Sequence, residues 1–131
     1  MLDDNIEICR FKMDKAEKVL KTAKNNIRDE DYDSAVNRAY YCVFHMISEL
    51  LILSGKSYRS HSAVIAEFQR EYVKTGVFGA DIKNIIFSLS ENRNDSDYTD
   101  FFYIDETEAK IQVDNAEKAY TEIRRYIESL I

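Results

Sequence analysis

Hydrophobic residues recur every three or four positions along most of the chain, which is the spacing of one face of an α-helix. The first such stripe predicts a helix from roughly Asn5 to Ile27, and its members are Met13, Ala16, Leu20, Ala23 and Ile27. The polar stretch 25–33 follows. A second helix is then predicted to open at Asp33 or Ser34, because either side chain can accept a hydrogen bond from the first turn.

The second helix is hydrophobic on nearly every side. Between Ala39 and Leu53 every residue is apolar or aromatic except His45, Ser48 and Glu49. Such a helix needs more than one neighbour to cover it. We therefore expect it either at the centre of a helical bundle or with one face buried against a second protomer.

Two further helices are predicted in the middle of the chain. One begins at about Ser60, after a glycine at position 55 suited to ending the second helix, and its inner face is Val64, Ile65, Phe68 and Tyr72. The next carries the spacing i, i+3, i+4, i+7 in Ile82, Ile85, Ile86 and Leu89. One more step of four along that face reaches Arg93, which predicts an inward-facing arginine at the end of an apolar stripe.

The last helix is predicted to follow an acidic loop with aromatic anchors, Asn94 to Glu106. Asp105 and Glu108 have the spacing of a capping box, and Ile104 with Ala109 that of a hydrophobic staple. The seam of this helix is Ala109, Val113, Ala116, Tyr120, Ile123, Ile127 and Leu130. The whole pattern predicts an all-α protein.

Composition agrees with a helical chain and excludes several classes. The 131 residues include no proline and three glycines, too few for the tight turns of strand-rich folds, and the length suits a single domain over residues 1–131. The net charge of −6 argues against extended binding of duplex DNA, which depends on many phosphate contacts. A local phosphate site stays open. Lys21, Lys24 and Arg28 on one flank of the first helix are either a solvated surface or a weak anion or RNA track.

Nothing in the sequence points to secretion, a membrane span or a metal. Cys9 and Cys42 have neither metal-binding nor disulfide spacing, and we expect no cofactor. The N-terminus lacks a signal pattern, and no apolar run approaches the roughly 18 residues of a membrane span. These features favour a cytoplasmic protein. The two histidines are interpreted first as structural residues: His45 as a hydrogen-bonded packing residue and His61 as a partner for a loop carbonyl. A role as ligand or base for His45, and a functional role for His61, are the alternatives.

Candidate chemistry is concentrated between Arg93 and Tyr98. Arg93 and Asp97 are four residues apart, so a local ion pair that ties the helix end would explain both. Against that reading, an arginine on an inward stripe needs a partner for its planar donors. If Arg93 and Asp97 only form that local pair, Tyr98 is an ordinary aromatic anchor whose hydroxyl reaches water.

With these residues in view, the chain resembles the HEPN domain family, the nucleotide-binding domains shared by prokaryotes and higher eukaryotes. The likeness covers about residues 6–131 and is carried by Ala35, the run Arg38-Ala39-Tyr40-Tyr41, Phe44, Ser60-His61, and Arg93 with Asp97-Tyr98. The resemblance implies an up-and-down bundle of four main helices plus a shorter one. It also implies a homodimer in which the motif arginines of two protomers face one cleft.

Many HEPN proteins are metal-independent ribonucleases or toxins paired with a minimal nucleotidyltransferase, and their motif is an arginine, a polar residue and, after four to six intervening residues, a histidine. Here Arg93 and Asn94 match, but Tyr98 stands where the histidine would be. A tyrosine of pKa about 10 is only about 0.1% ionised at pH 7, which makes it a poor general base.

Three functions therefore stay open. The first is a dimeric module of a toxin-antitoxin type system that binds a nucleotidyltransferase partner, or a nucleotide or RNA phosphate, at Arg93. The second is an endoribonuclease in which Arg93 stabilises charge, Asn94 orients the phosphate, and Tyr98 or Asp97 assists proton transfer. The third is a structural helical dimer whose arginine only orders the interface.

Overall fold

The chain folds into five α-helices within the residues that the structure describes. This computed structural model describes the backbone of residues 2–56, 58–98 and 103–131, and the side chains of residues 4–56, 58–91 and 103–131. The helices are α1 (Leu2–Arg28), α2 (Tyr32–Leu53), α3 (His61–Phe68), α4 (Ala80–Tyr98) and α5 (Glu106–Leu130), and one π-helical turn, Gln69–Val73, continues α3. The prediction of an all-α protein is confirmed.

Side-chain pairs between helices show that four of them run alternately up and down. In the ion pairs between α1 and α5, the residue number increases along α1 as it decreases along α5. The pairs are Arg10 with Glu128, Asp14 with Arg124, and Lys24 with Glu117. The pairs Asp81 with Lys118 and Ser88 with Gln112 show the same opposition between α4 and α5. A short turn reverses the chain between α1 and α2. The fold is thus an up-and-down bundle of α1, α2, α4 and α5, with α3 as the shorter helix.

Helix α2 lies at the centre of this bundle. It packs against each of the other four helices, and its apolar residues form the middle of the main core. This confirms that a helix with hydrophobic residues on nearly every side must be covered by several neighbours.

The start of α2 differs from the sequence prediction. The helix begins at Tyr32, and its cap is Asp31, whose Oδ1 accepts a hydrogen bond from the backbone N–H of Ser34 at 3.4 Å. The predicted cap, Asp33 or Ser34, is therefore wrong by two or three residues. Glu30 takes the left-handed conformation (φ 61°), which turns the chain early enough for Asp31 to cap.

The ends of α4 and α5 also refine the prediction. Helix α4 extends to Tyr98, so the loop expected from Asn94 starts later; the segment 80–98 contains no glycine or proline to stop the helix. Asp105 caps α5 as predicted, accepting from the Glu108 N–H at 2.8 Å. The Glu108 carboxylate accepts a bond from Gln112. Leu130, expected in the α5 seam, is exposed at the end of the helix.

Within the described part of the chain, none of the helices combines the length and the apolar character that crossing a membrane requires.

Candidate functional site

Three aromatic side chains of α2 surround the first residue of α3. The His61 ring stacks on Phe44 with 3.9 Å between ring centroids, and its Nδ1 is hydrogen-bonded to the Tyr40 hydroxyl at 3.1 Å. Tyr41 meets the same ring edge-on at 5.9 Å. We call these four residues, Tyr40, Tyr41, Phe44 and His61, the aromatic–histidine cluster.

The turn between α2 and α3 delivers His61 to this position. Gly55 adopts a positive φ of 81°, and the N–H groups of Gly55 and Lys56 bond back to the carbonyls of Ile52 and Leu51. This pattern is a Schellman motif, which ends α2 sharply. Ser60 then caps α3 by accepting from the Ala63 N–H at 3.1 Å. His61 therefore enters as the first helical residue and faces back onto α2.

The Tyr40 bond determines what His61 can do chemically. Since Nδ1 is already bonded to a nearly buried hydroxyl, any proton transfer to a ligand must use Nε2. The sequence led us to expect a loop carbonyl as the partner of His61, and the partner on Nδ1 is a helix side chain. Stacking and hydrogen bonding together fix the ring plane, as a positioned acid or base requires.

A positive charge lies next to the cluster. The guanidinium carbon of Arg38, one turn before Tyr41 on an exposed part of α2, is 6.0 Å from the Tyr41 ring centroid. A guanidinium beside aromatic faces can both stack and pair with phosphate oxygens. The surface of α2 beside His61 thus combines aromatic rings with a cation.

Helix α4 passes directly behind the cluster. A small apolar gap is lined by residues of α2, α3 and α4, namely Tyr40, Val43, Phe44, Ile47, Ile65, Ile86 and Leu89. Helix α4 runs antiparallel to α2. Residues of α4 that follow Leu89 therefore lie at the height of α2 residues that precede Phe44, such as Tyr40. Position 93 of the α4 backbone is one turn beyond Leu89. The helix register therefore brings that position to the level of the Tyr40–His61 pair.

The four site residues predicted from sequence are Arg93, Asn94, Asp97 and Tyr98. The backbone of all four belongs to α4, but their side chains lie outside the described residues, as does any Arg93–Asp97 ion pair. The apolar stripe that leads to them is as predicted, since Ile82, Ile85, Ile86 and Leu89 are all buried. The inward direction of Arg93 stays a prediction.

The interpretation of His45 as a packing residue is wrong. Its side chain is exposed and lines a groove between α1 and α2 with Lys12, Lys15 and Lys18. The pKa of His45 is lowered, first by partial loss of solvent and then by the nearby positive charges. The hydrophobic pattern of α2 suggested a buried His45, because most of its neighbours in sequence are core residues. One face of α2 is nevertheless exposed to solvent, and His45 lies on it.

Part of the basic flank predicted on α1 is already paired. Lys24 Nζ is 2.7 Å from Glu117 of α5, and Arg28 donates to the Asn25 side chain. Lys21 has no ion pair among the described residues. Lys24 and Arg28 thus have partners within the protein, and the anion-track alternative remains a prediction for Lys21.

Sequence reasoning kept a functional role for His61 as an alternative and did not foresee the stacking of its ring on Phe44. The signal available was a histidine directly after a helix-capping serine, together with aromatic residues at spacings of one and four on the preceding helix. That pattern predicts stacking of the His61 ring on Phe44 only when the angle between α2 and α3 is known. In the described part of the chain, no group of three or more histidine, cysteine or acidic side chains is arranged to hold a metal, and Cys9 and Cys42 are both buried free thiols.

Comparison with known proteins matches this architecture to one family. A family model described as the HEPN domain matches residues 9–126. A UPF0332 protein of Thermotoga maritima is 33% identical over 129 residues, which are 98% of this chain and 98% of that protein. Two proteins of Methanocaldococcus jannaschii, each named "putative toxin", are 28% and 32% identical; the matches cover 88% and 82% of this chain and 78% and 85% of those proteins.

Proposed function

This chain belongs to the HEPN domain family, and from that membership we propose that it binds a nucleotide or RNA phosphate at a cleft centred on Arg93. In this proposal the chain is the toxin-like component of a two-component system, works as a homodimer and pairs with a nucleotidyltransferase. The similarity to the two archaeal proteins with toxin names supports the toxin-like character. The homodimer, the partner and the cytoplasmic location are predictions of the proposal.

The observation that carries the proposal is the aromatic–histidine cluster at the level of position 93. Arg38 and the rings of Tyr41 and Phe44 are partly or fully exposed on that side of α2. An arginine delivered there by α4 would supply paired donors for a phosphate, and the rings would offer faces to a base. Phosphate and base recognition would then occur within one helical turn.

Binding of labelled single-stranded RNA and of nucleotides tests the proposal. We expect Arg93→Ala to weaken binding at least about tenfold, because charge-assisted hydrogen bonds contribute roughly 1.5–3 kcal/mol each. Arg125→Ala is the matched control, since Arg125 is exposed on α5 and remote from the cluster. Equal affinities for wild type and Arg93→Ala, or no binding by wild type, would refute the proposal.

A second candidate function is metal-independent cleavage of RNA, and His61 is the observation that favours it. The HEPN ribonuclease motif needs a histidine after its arginine, and Tyr98 occupies that position here. His61 reaches the same level of the bundle from α3, with its ring held by Tyr40 and Phe44. In the cleavage step the 2′-oxygen would form a bond to phosphorus as the bond from phosphorus to the 5′-oxygen breaks. Nε2 of His61 would take the 2′-hydroxyl proton and give it to the departing 5′-oxygen, while Arg93 stabilises the phosphate charge.

Cleavage assays in a chelator distinguish this candidate from simple binding. If the protein cuts RNA, we expect His61→Asn to lower the rate at least about a hundredfold, as for loss of a general acid or base, while RNA affinity stays within a few-fold. Tyr98→Phe would leave the rate nearly unchanged. The opposite result would assign proton transfer to Tyr98, and RNA that is bound but never cut would remove the nuclease candidate.

Assembly and partner have separate tests. Light scattering at micromolar concentration should give the mass of a dimer, and a monomer would contradict the shared cleft. Co-expression with a nucleotidyltransferase encoded beside this reading frame should yield a complex that survives purification. If the dimer forms but no such complex does, phosphate binding can stand without the two-component system.

A further inference from the structure

A row of lysines crosses α1 from the α2 side of the bundle to the α5 side. Lys12, Lys15, Lys18, Lys21 and Lys24 occur at every third position. Residues three apart are neighbours on a helix, but their row is inclined by about 45° to the axis, so it moves around the helix as it advances. The contacts at the two ends show this crossing: Lys12 is 3.5 Å from Glu49 of α2, and Lys24 is 2.7 Å from Glu117 of α5.

The middle of the row forms a ridge between two grooves. Lys12, Lys15 and Lys18 line a groove of about 590 Å³ against α2, together with His45 and the apolar side chains of Val19 and Ile52. Lys15, Lys18 and Lys21 line a second groove of about 710 Å³ on the α5 side. We call Lys15, Lys18 and Lys21 the lysine ridge.

The acidic side chains that line these grooves are all paired with other cations. Glu49 is engaged by Lys12, and Glu117 by Lys24. Arg124 of α5 is 2.8 Å from Asp14 and 3.4 Å from Glu17.

The three lysines of the ridge have no ion-pair partner among the residues that the structure describes. A local excess of positive charge therefore exists on a chain whose net charge is −6.

Aromatic groups accompany this charge. The Phe11 ring is 61% exposed, and Lys15 Nζ lies 5.3 Å from its centroid. At the α2 edge, the His45 ring lies 6.2 Å from the rings of both Tyr41 and Phe44. His45 thus both lines the groove between α1 and α2 and packs near two rings of the aromatic–histidine cluster, which gives continuity between them.

We propose that the lysine ridge is a second contact surface for single-stranded RNA, on which the lysines bind backbone phosphates and Phe11 stacks on a base. A basic track with exposed rings is the usual form of a single-strand binding surface. The inference rests on the proposed function for the nature of the ligand, and the continuity through His45 gives one strand a path from the Arg93 cleft onto α1. An acidic protein segment would use the charge but would have no need of the exposed ring.

The test is the salt dependence of binding to a fluorescein-labelled single-stranded RNA. Each phosphate contact contributes about 0.7 to the slope of log K against log salt, so Lys15→Gln with Lys18→Gln should reduce the slope by about 1.4. The ratio of the wild-type affinity to that of the double variant should then fall by about sevenfold between 50 and 200 mM salt. Lys74→Gln with Lys83→Gln is the matched control, because these two exposed lysines lie away from α1 and should leave the slope unchanged.

The variants separate failure of this inference from failure of the proposed function. If wild type binds RNA and Arg93→Ala weakens it, but the Lys15 and Lys18 variant keeps the wild-type slope, only the ridge is refuted. If wild type binds nucleotides but no RNA, the ridge inference is refuted and the proposed function stands; if it binds neither, both are refuted. Circular dichroism should show an unchanged helical fold for the lysine variants, since the altered lysines are exposed.

Two further measurements identify the ligand class. Phe11→Leu should weaken RNA binding at least about fivefold, the lower limit expected when a base–aromatic stack is lost. Polyglutamate at equal charge concentration should fail to displace the RNA. Displacement by polyglutamate, together with no effect of Phe11→Leu, would show that the ridge recognises acidic chains in general and would overturn the RNA assignment.

Discussion

The Tyr40–His61 hydrogen bond offers a direct test of the aromatic–histidine cluster. Tyr40→Phe removes the hydroxyl and keeps the ring, which is only 4% exposed and packs between α2, α3 and α4. The change therefore deletes the 3.1 Å bond to His61 Nδ1 without creating a cavity larger than one oxygen atom. We expect a loss of about 1 kcal/mol, the usual net contribution of a hydrogen bond of this kind.

That free energy converts to a measurable shift in melting temperature. Unfolding entropy near 60 °C is about 2.1 cal/mol/K per residue, which for a chain of 131 residues gives roughly 0.28 kcal/mol/K. A loss of about 1 kcal/mol should then lower Tm by 3–4 °C. Tyr103→Phe is the control, because the Tyr103 side chain is 80% exposed and its hydroxyl loss should leave Tm unchanged.

Nitrogen NMR supplies a readout that a merely structural effect would not produce. The chain has two histidines, so His45 serves as an internal reference for His61. Tyr40→Phe should move the Nδ1 resonance of His61 and leave that of His45 in place. A Tm within 1 °C of wild type together with unmoved His61 resonances would refute the cluster geometry, and with it the case for His61 as a positioned acid or base.

Three other predictions concern acidic side chains. Glu30→Gly should raise stability by up to about 1 kcal/mol, because a left-handed non-glycine residue costs roughly 1–2 kcal/mol and glycine's extra chain entropy offsets only part of the gain. Glu30→Ala keeps the β-carbon and should give no gain. Equal melting temperatures for the two variants would contradict the strain at position 30. Burial raises the pKa of Glu49 against the opposing effect of Lys12, so the protonated Glu49 side chain contributes most to stability below about pH 4.5, and that contribution is lost as pH rises. In Glu49→Gln, the melting temperature should therefore depend less on pH. Arg70 and Lys56 hold the pKa of Glu67 at about 2, so its contribution is present above pH 4.5 and lost toward pH 2, and Glu67→Gln should show a weaker loss of stability on acidification.

The helices were predictable from sequence because their periodicity reflects burial of one face of each helix between its neighbours. The stripes of α1 and α4 and most of the α5 seam lie in the core as expected, and the glycine at position 55 ends α2 as expected. The boundary errors have local causes. The left-handed residue before Asp31 is a glutamate, which sequence rules do not single out. The polar end of α4 looks like a loop, because its composition resembles that of surface segments.

The candidate site was only partly predictable, since it depends on how helices meet. Phe44 and His61 are separated by 17 residues, and their stacking depends on the angle of the turn through Gly55. Hydrophobic periodicity shows which face of a helix is buried and gives no information about which ring of one helix meets which ring of another. The resemblance to the HEPN family is carried by residues of α2 and α3, and the structure shows that Tyr40, Tyr41 and Phe44 contact His61.

The lysine ridge shows most clearly why surface chemistry resists prediction. In the sequence, Lys21 has Glu17 four positions before it, whereas Lys24 has Leu20 and Arg28 at that spacing, so the pattern favours pairing of Lys21. In the fold, Lys24 is neutralised by Glu117 and the acids near Lys15 and Lys18 are held by Arg124 and Lys12. Which charges remain uncompensated is decided by pairs formed across three helices, and net charge gives no indication of it. A chain with an overall charge of −6 can for this reason present a basic surface, provided that its acids are consumed by other partners.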